Sequence, residues 1–423
     1  MKRKTEEKCF IFGVGSFAKT TSHMPKLFPV AALILLTCAF AGCQTPALES
    51  AQTVECMRAT PVYFSPGAPW DSLAAQDGWT RWDNGRLLTQ TFPVPEYRVR
   101  PTITAAVTLR SAGDPWDKSG SLMLLPNAPS GLLERGFTAD STVDFPGILL
   151  EQTAGALTFA PPIELLRFIT PFGVGHFSKQ ERLDAYRPVY VPRWEDSVHW
   201  EADVSHLWEA LDDSMTLGVY IDTWTPEGYS LDVDIRFEGR HETIAQLPSL
   251  QTIPLLNTTK FGSEQQHYDA FSRAALTVPV ELTEPASNAI LHYTVTGHGG
   301  HGTGDEFVPS EHQIAWNGDS VLTFTPWRDD CASFRRFNPA SGVWFERTIW
   351  RGDSLDERIA SSDYSRTGWC PGSQVDPVQI PLGDLDAGSH ELRIAVPTAQ
   401  PFTESEMNFW NVAAYLTYER ERR

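Results

Sequence analysis

The 423-residue sequence predicts an antiparallel all-β chain of two similar units, and three observations carry that prediction. Short apolar runs alternate with turn residues along a chain holding 31 Pro and 14 Trp. The run Ser230–Phe237 (SLDVDIRF) alternates without a break. Leu231, Val233, Ile235 and Phe237 share one face and Asp232, Asp234 and Arg236 the other, the period of a strand between core and water. Helical periodicity is scarce, and Val204–Leu211 (VSHLWEAL) is the best short example.

In chain order, Met1–Gly42 reads as a signal: a basic stretch ending at Lys26, then the apolar run Leu27–Ala41, shorter than a membrane-spanning helix needs. Translation starts at Met1 or at Met24. The stretch AFAGC resembles a lipoprotein signal, which makes Cys43 the lipid-bearing residue and the lipid the only membrane contact of an exported chain. Residues 43–60 read as a tether. A first β unit follows over 61–240, with strands expected at Thr102–Leu109, Leu217–Trp224 and Ser230–Phe237. From Gly239 to about Leu276 strand signals thin out around LPSLQTIPLLNTTKFGS, the expected junction. A second unit occupies 241–423, with strand-like runs at Ile290–Val295 and His390–Val396. Each unit is long enough to bury its own core, and a monomer is the default.

Met1–Gly42 carries six Lys/Arg and two Asp/Glu, so removing this +4 segment takes the net charge from −19 to −23. Such a surface repels phosphate and argues against nucleic-acid partners. Beyond the leader and Cys43 three cysteines remain; Cys331 and Cys370 are the expected disulfide, with Cys56 left over beside the tether. No CxxC pair supports a structural zinc site.

The stretch Gly297–Phe307 (GHGGHGTGDEF) packs five glycines, two histidines and an Asp-Glu pair after a strand-like run. His298, His301 and His312 raise a copper or zinc site, but the glycine-rich spacing fixes no geometry and the first unit offers only isolated His176 and His199. Phosphate binding lacks a Gly-Lys-Ser/Thr ending, and Asp305 and Glu306 would repel the anion. No GxSxG elbow marks a serine nucleophile. The loop is expected to place Glu306, its glycines allowing a tight turn into a crowded site.

LLRFITPFGVG (Leu165–Gly175), GVYIDTWTPEGYSLDVDIRFEG (Gly218–Gly239), the glycine loop and SRTGWCPG (Ser365–Gly372), in this order, resemble the peptide-N-glycosidase F family. TQTFPVPEYRVRPTITAAVTLR (Thr89–Arg110) has the look of its early strands, and the similarity is patchy between about Gly120 and Leu165. The resemblance implies two side-by-side eight-stranded antiparallel jelly-roll sandwiches. It also implies an amidase that cuts between asparagine and the first GlcNAc of N-glycans, leaving aspartate and a released glycosylamine. N-glycosylated proteins or glycopeptides would be the partners, and neither a cofactor nor a metal is called for.

The resemblance also assigns roles. Asp117 in GDPWDKSG, after Trp116, sits where the family has its principal catalytic carboxylate; Glu306 matches its glutamate on a second-domain loop. Asp222 in YIDTWTPEG stands where the best-known member has Glu, one methylene longer. Its alternation also puts it on the face of Tyr220 and Trp224, where a carboxyl holds its proton more tightly than in water. Trp116, Lys118, Trp224, His298 and Arg366 are the expected substrate-binding residues. Lys118 replaces an Arg of the family, His298 stands in place of a Trp that lines the cleft, and Phe307 in place of another indole. Two rivals remain: a non-catalytic glycan- or glycoprotein-binding double jelly roll that keeps Trp224 and Arg366 while Asp222 marks eroded catalysis, and a copper-dependent monooxygenase.

Overall fold

The structure, a computed structural model, describes residues 49–66, 78–125, 152–154, 157–159, 161–180, 191–240, 248–259, 270–300 and 303–420. The expected leader, Cys43, the first residues of the tether and His301 lie outside the described residues.

The chain is all-β, with two antiparallel jelly-roll sandwiches side by side. In the first, one sheet runs in the order Gln52–Val62, Tyr229–Glu238, Thr102–Ser111, Val198–Asp203. The other runs Gln374–Val375, Ile163–Ile169, Ser119–Leu124, Ser214–Ile221, Leu87–Pro93, Thr80–Trp82. In the second, Ser249–Asn257, Phe409–Arg420, Ala286–His298 and Val378–Leu385 share a core with Leu276–Leu282, Gly388–Ala395, His312–Trp316 and Asp319–Phe324. Among the described residues the second sandwich has the expected eight strands; in the first, Gln374–Val375 and the short Thr80–Trp82 add to the count.

The alternation of SLDVDIRF is realised residue by residue. Leu231, Val233, Ile235 and Phe237 are buried in the first core. On the wet face Asp234 pairs with Arg58 at 2.7 Å and Asp232 with Arg110 at 3.1 Å. Such exposed pairs contribute about 0–1 kcal/mol each, so burial of the apolar face dominates. The short helical pattern becomes a 3-10 turn, Ser205–Ala210, whose first N–H is held by the Asp203 side chain at 2.9 Å.

Two expectations need correction. Gln52–Val62, read as the end of the tether, is an edge strand paired with Tyr229–Glu238. Its register slips between Glu55 and Met57 and again between Met57 and Thr60, so the period of two that betrays a strand is broken twice. SLQTIPLLN, within the expected junction, is also an edge strand, paired with Phe409–Arg420. The register shifts between Pro254 and Leu256, and edges and bulges are where a strand tolerates proline.

The sandwiches are stitched together by more than apolar contact. Gln374–Val375, from the second half of the chain, extends the first sandwich's sheet along Arg167–Phe168. Arg167 donates to the Asn411 carbonyl at 2.7 Å, the Trp200 indole to the Gly372 carbonyl at 3.0 Å, and Tyr415 packs into the first core. Cys331 and Cys370 form the expected disulfide. Cys56 is buried and free, and burial pushes its thiol up to about 12. Among the described residues no helix is long and apolar enough to cross a membrane.

Candidate active site

Asp117 sits in the loop that leads into the strand Ser119–Leu124, and hydrogen bonds from several elements fix that loop. The Asp114 carboxylate accepts the Trp116 N–H at 2.9 Å, and the Ser111 hydroxyl donates to the Asp114 carbonyl at 2.7 Å. The Tyr229 hydroxyl donates to the Trp116 carbonyl at 2.6 Å, and the Thr170 hydroxyl accepts the Lys118 N–H at 2.7 Å. Trp116 itself is 55 % exposed.

Glu306 comes from the other sandwich, after the strand Ala286–His298. Its N–H donates to the Gly299 carbonyl at 3.3 Å, and its carbonyl accepts the Thr367 N–H at 2.9 Å. Gly299 has φ +98°, and a Cβ there would lie 2.2 Å from the Met407 carbonyl oxygen, so only glycine fits. Asp305 points elsewhere: its carboxylate accepts the Gln400 N–H at 3.2 and 3.1 Å, and burial raises it to about 6.

Arg366 joins the two loops. Its Nε donates to Glu306 Oε1 at 2.9 Å, and its Nη2 stands 3.5 Å from Asp117 Oδ2. Its other N–H groups go to the Tyr364 and Ser361 carbonyls at 2.9 and 3.1 Å. Its planar head lies 5.0 Å from the Trp369 ring and 5.1 Å from Phe307. Burial raises the proton affinity of both Asp117 and Glu306; Arg366 opposes this, and the rise prevails. Lys118 adds to the opposition at Asp117, while each acid's neighbours add to the rise, Asp117 at Glu306 and Asp114 at Asp117. Both side chains keep 17 % exposure, enough for water to reach them. Two carboxyls that bind protons at higher pH than usual, bridged by one cation, can give and take a proton.

Asp222 and Trp224 lie beyond the strand Ser214–Ile221, whose end pairs with Gly120. Asp222 is not simply an acid among aromatics: the fully buried Arg86, which sequence reasoning missed, donates to it at 3.2 Å and to Asp83 at 2.8 Å. The Tyr220 hydroxyl also donates to Asp222, at 3.1 Å. The Arg86 head lies 4.3 Å from the Trp224 ring, which is 43 % exposed and tilted against Phe64. The signal for Arg86 was faint, since DNGRLL is an ordinary turn in sequence.

His298 was expected to line a cleft; it is buried, hydrogen-bonded to the Thr296 hydroxyl at 2.8 Å and stacked between Trp369 and Phe409. Its flat ring fills a slot between two others, and burial depresses it to about 3. His312 is buried against the Tyr293 hydroxyl at 2.8 Å and likewise depressed to about 3. A cavity of about 500 Å³ lined by Tyr97, Trp208, Glu209 and Asp213 contains none of these residues.

Fold and site together define a double jelly-roll protein with two carboxylates meeting one arginine at the seam between its sandwiches. Its sequence matches two family models, "Peptide-N-glycosidase F, N terminal" over residues 53–237 and "Peptide-N-glycosidase F, C terminal" over residues 266–417. The chain belongs to the peptide-N-glycosidase F family. It is similar to the solved structure of PNGF-II, with 29 % identity and a TM-score of 0.71 over 88 % of this chain. It spans 66 % of the PNGF-II chain's length. PNGase F from Flavobacterium meningosepticum, described as a glycosylasparaginase, shares 15 % identity over 88 % of this chain and 97 % of its own, with a TM-score of 0.55. At that identity the likeness shows the fold. No curated protein matches the sequence.

Proposed function

We propose that the chain is an exported amidase acting on N-glycosylated proteins or glycopeptides. It hydrolyses the amide between an asparagine side chain and the first GlcNAc, leaving aspartate and releasing a glycosylamine that later loses ammonia. The observation that carries this reading is the pair Asp117 and Glu306, brought from opposite sandwiches to one guanidinium and both raised in proton affinity. An amide carbonyl is a poor electrophile, so water must be activated and the leaving nitrogen protonated. Asp117 is the main acid/base residue, Glu306 shares the proton load with it, and Arg366 keeps the pair from repelling each other apart. Asp222 orients substrate or water from the neighbouring loop, and Trp224 and Trp116 offer exposed apolar faces to sugar or peptide. Lys118 lies close enough for its charge to reach Asp117 and stands ready for a sugar hydroxyl. The leader over 1–42, the lipid on Cys43, two domains meeting near residue 240 and a monomeric state belong to the same reading.

The test is incubation of the purified chain with sialylated and high-mannose glycopeptides, followed by mass spectrometry with chelator present. Conversion of the glycan-bearing Asn to Asp with release of an intact glycan is expected. Unchanged glycopeptide across several glycan types, with binding retained, would replace the amidase by a glycan-binding module.

A further inference from the structure

Asp114 does more than anchor the Asp117 loop: it is fully buried and each of its carboxylate oxygens is committed. Oδ1 accepts the Trp116 N–H at 2.9 Å, one residue before Asp117. Oδ2 accepts the Thr223 hydroxyl at 2.6 Å, between Asp222 and Trp224. One side chain therefore ties the loop of the principal acid to the loop of the third acid and the exposed indole. The backbone of the same residue is held as well, its carbonyl by Ser111 and its N–H by the Gly228 carbonyl at 3.4 Å.

From this bridge, and resting on the amidase reading, we propose that Asp114 is the positioning residue of the site. It sets Asp117 and the Asp222–Trp224 loop in register with each other. A capping aspartate in a turn would need only the Trp116 N–H; the second bond, made to a side chain more than a hundred residues away, is what a loop cap does not require. Asp114 is also among the groups that raise both Asp117 and the buried Tyr229 hydroxyl. Charges facing Asp117 from the other side are Arg366 and Lys118, which lower it, and Glu306, which shares its environment. Removing Asp114's charge therefore leaves the two cations less opposed.

The experiment compares the full chain with Asp114→Asn, which keeps an oxygen for the Trp116 N–H but loses the charge. The expected result is kcat about tenfold lower with KM little changed, and the limb of the kcat–pH profile set by Asp117 moved to lower pH. The Asp117 carboxyl, followed by NMR titration without substrate, moves the same way. Activity and melting temperature falling together with an unmoved titration would mean a merely structural residue and overturn the proposal. Should Asp114→Asn fail to fold, Thr223→Val decides: it removes the bridging hydroxyl and leaves the charge. It is expected to lower kcat several-fold, with Thr223→Ser restoring it, and a kcat equal to the parent's overturns the proposal. A parent chain inactive on every glycopeptide sinks the amidase reading itself, and the NMR titration still reports whether Asp114 tunes Asp117.

Discussion

Two arginines in this molecule keep the same company and are assembled in different ways. Arg366 meets Glu306 at 2.9 Å and Asp117 at 3.5 Å, with Trp369 and Phe307 near its face. Arg86 meets Asp83 at 2.8 Å and Asp222 at 3.2 Å, with Trp224 and Phe64 near its face. The second cluster is local in origin, because Asp83 and Arg86 belong to one turn within the first sandwich. The first is assembled across the seam, and two of the guanidinium's N–H groups are diverted to backbone carbonyls. One cation so divided does not offset the burial of two carboxylates, and both hold protons tightly. At this pair burial outweighs the attraction of the guanidinium.

The largest expected effect separates the clusters by chemistry. Asp117→Asn should lower turnover by about 10²–10⁴-fold, the usual weight of a positioned acid/base group, while glycopeptide binding persists. Turnover equal to the parent's would show that Asp117 has no such role. Next comes stability. Arg86→Ala leaves the fully buried Asp83 without its cation, and Arg366→Ala does the same to two nearly buried acids. Each should cost about 3–5 kcal/mol in urea unfolding. Turnover should also vanish in Arg366→Ala, whereas Arg86→Ala should act chiefly on KM through the Trp224 loop. Identical kinetic losses in both variants would erase the distinction drawn between them.

Somewhat smaller is the effect of the Cys331–Cys370 bridge, which closes a span of 39 residues that includes Ser361, Tyr364 and Arg366. Loop-closure entropy assigns such a bridge about 3–4 kcal/mol. A reductant should lower the melting temperature of the parent and leave that of Cys331→Ser/Cys370→Ser unmoved. Equal melting temperatures with and without reductant would show that the bridge contributes nothing.

The contrast also explains what the sequence disclosed. SLDVDIRF revealed its strand because a half-buried strand writes a period of two into its residues. Gln52–Val62 and Ser249–Asn257 did not, since bulges and an edge proline disturb that period. At the site, Asp117, Glu306 and Arg366 were legible as types in motifs, but their meeting across the seam is a product of docking that no local pattern encodes. Arg86 and Asp114 were invisible for a related reason: each looks like an ordinary turn residue until its distant partner, Asp222 or Thr223, is in place. His298 erred in the other direction, because a position in a motif says nothing of the neighbouring rings that bury it.

The smallest expected effect is the most direct reading of the Arg366 cluster, for it needs no substrate. Asp117 and Glu306 have ordinary values of 3.8 and 4.5, and both are raised in the folded protein. Between the ordinary and the raised values the native state binds more protons than the unfolded chain. Their contribution to stability is therefore full below about pH 4 and declines as pH rises through the raised values. Asp203 and Asp232, both depressed by their partners, give the opposite slope, losing stability as pH falls. Subtracting the double variant Asp117→Asn/Glu306→Gln from the parent isolates the pair from these others. Urea unfolding from pH 4 to pH 8 should show that difference shifting against the parent as pH rises. A difference that stays flat, or that runs the other way, would mean that Arg366 keeps both acids ionised and that its cluster is a structural ion network.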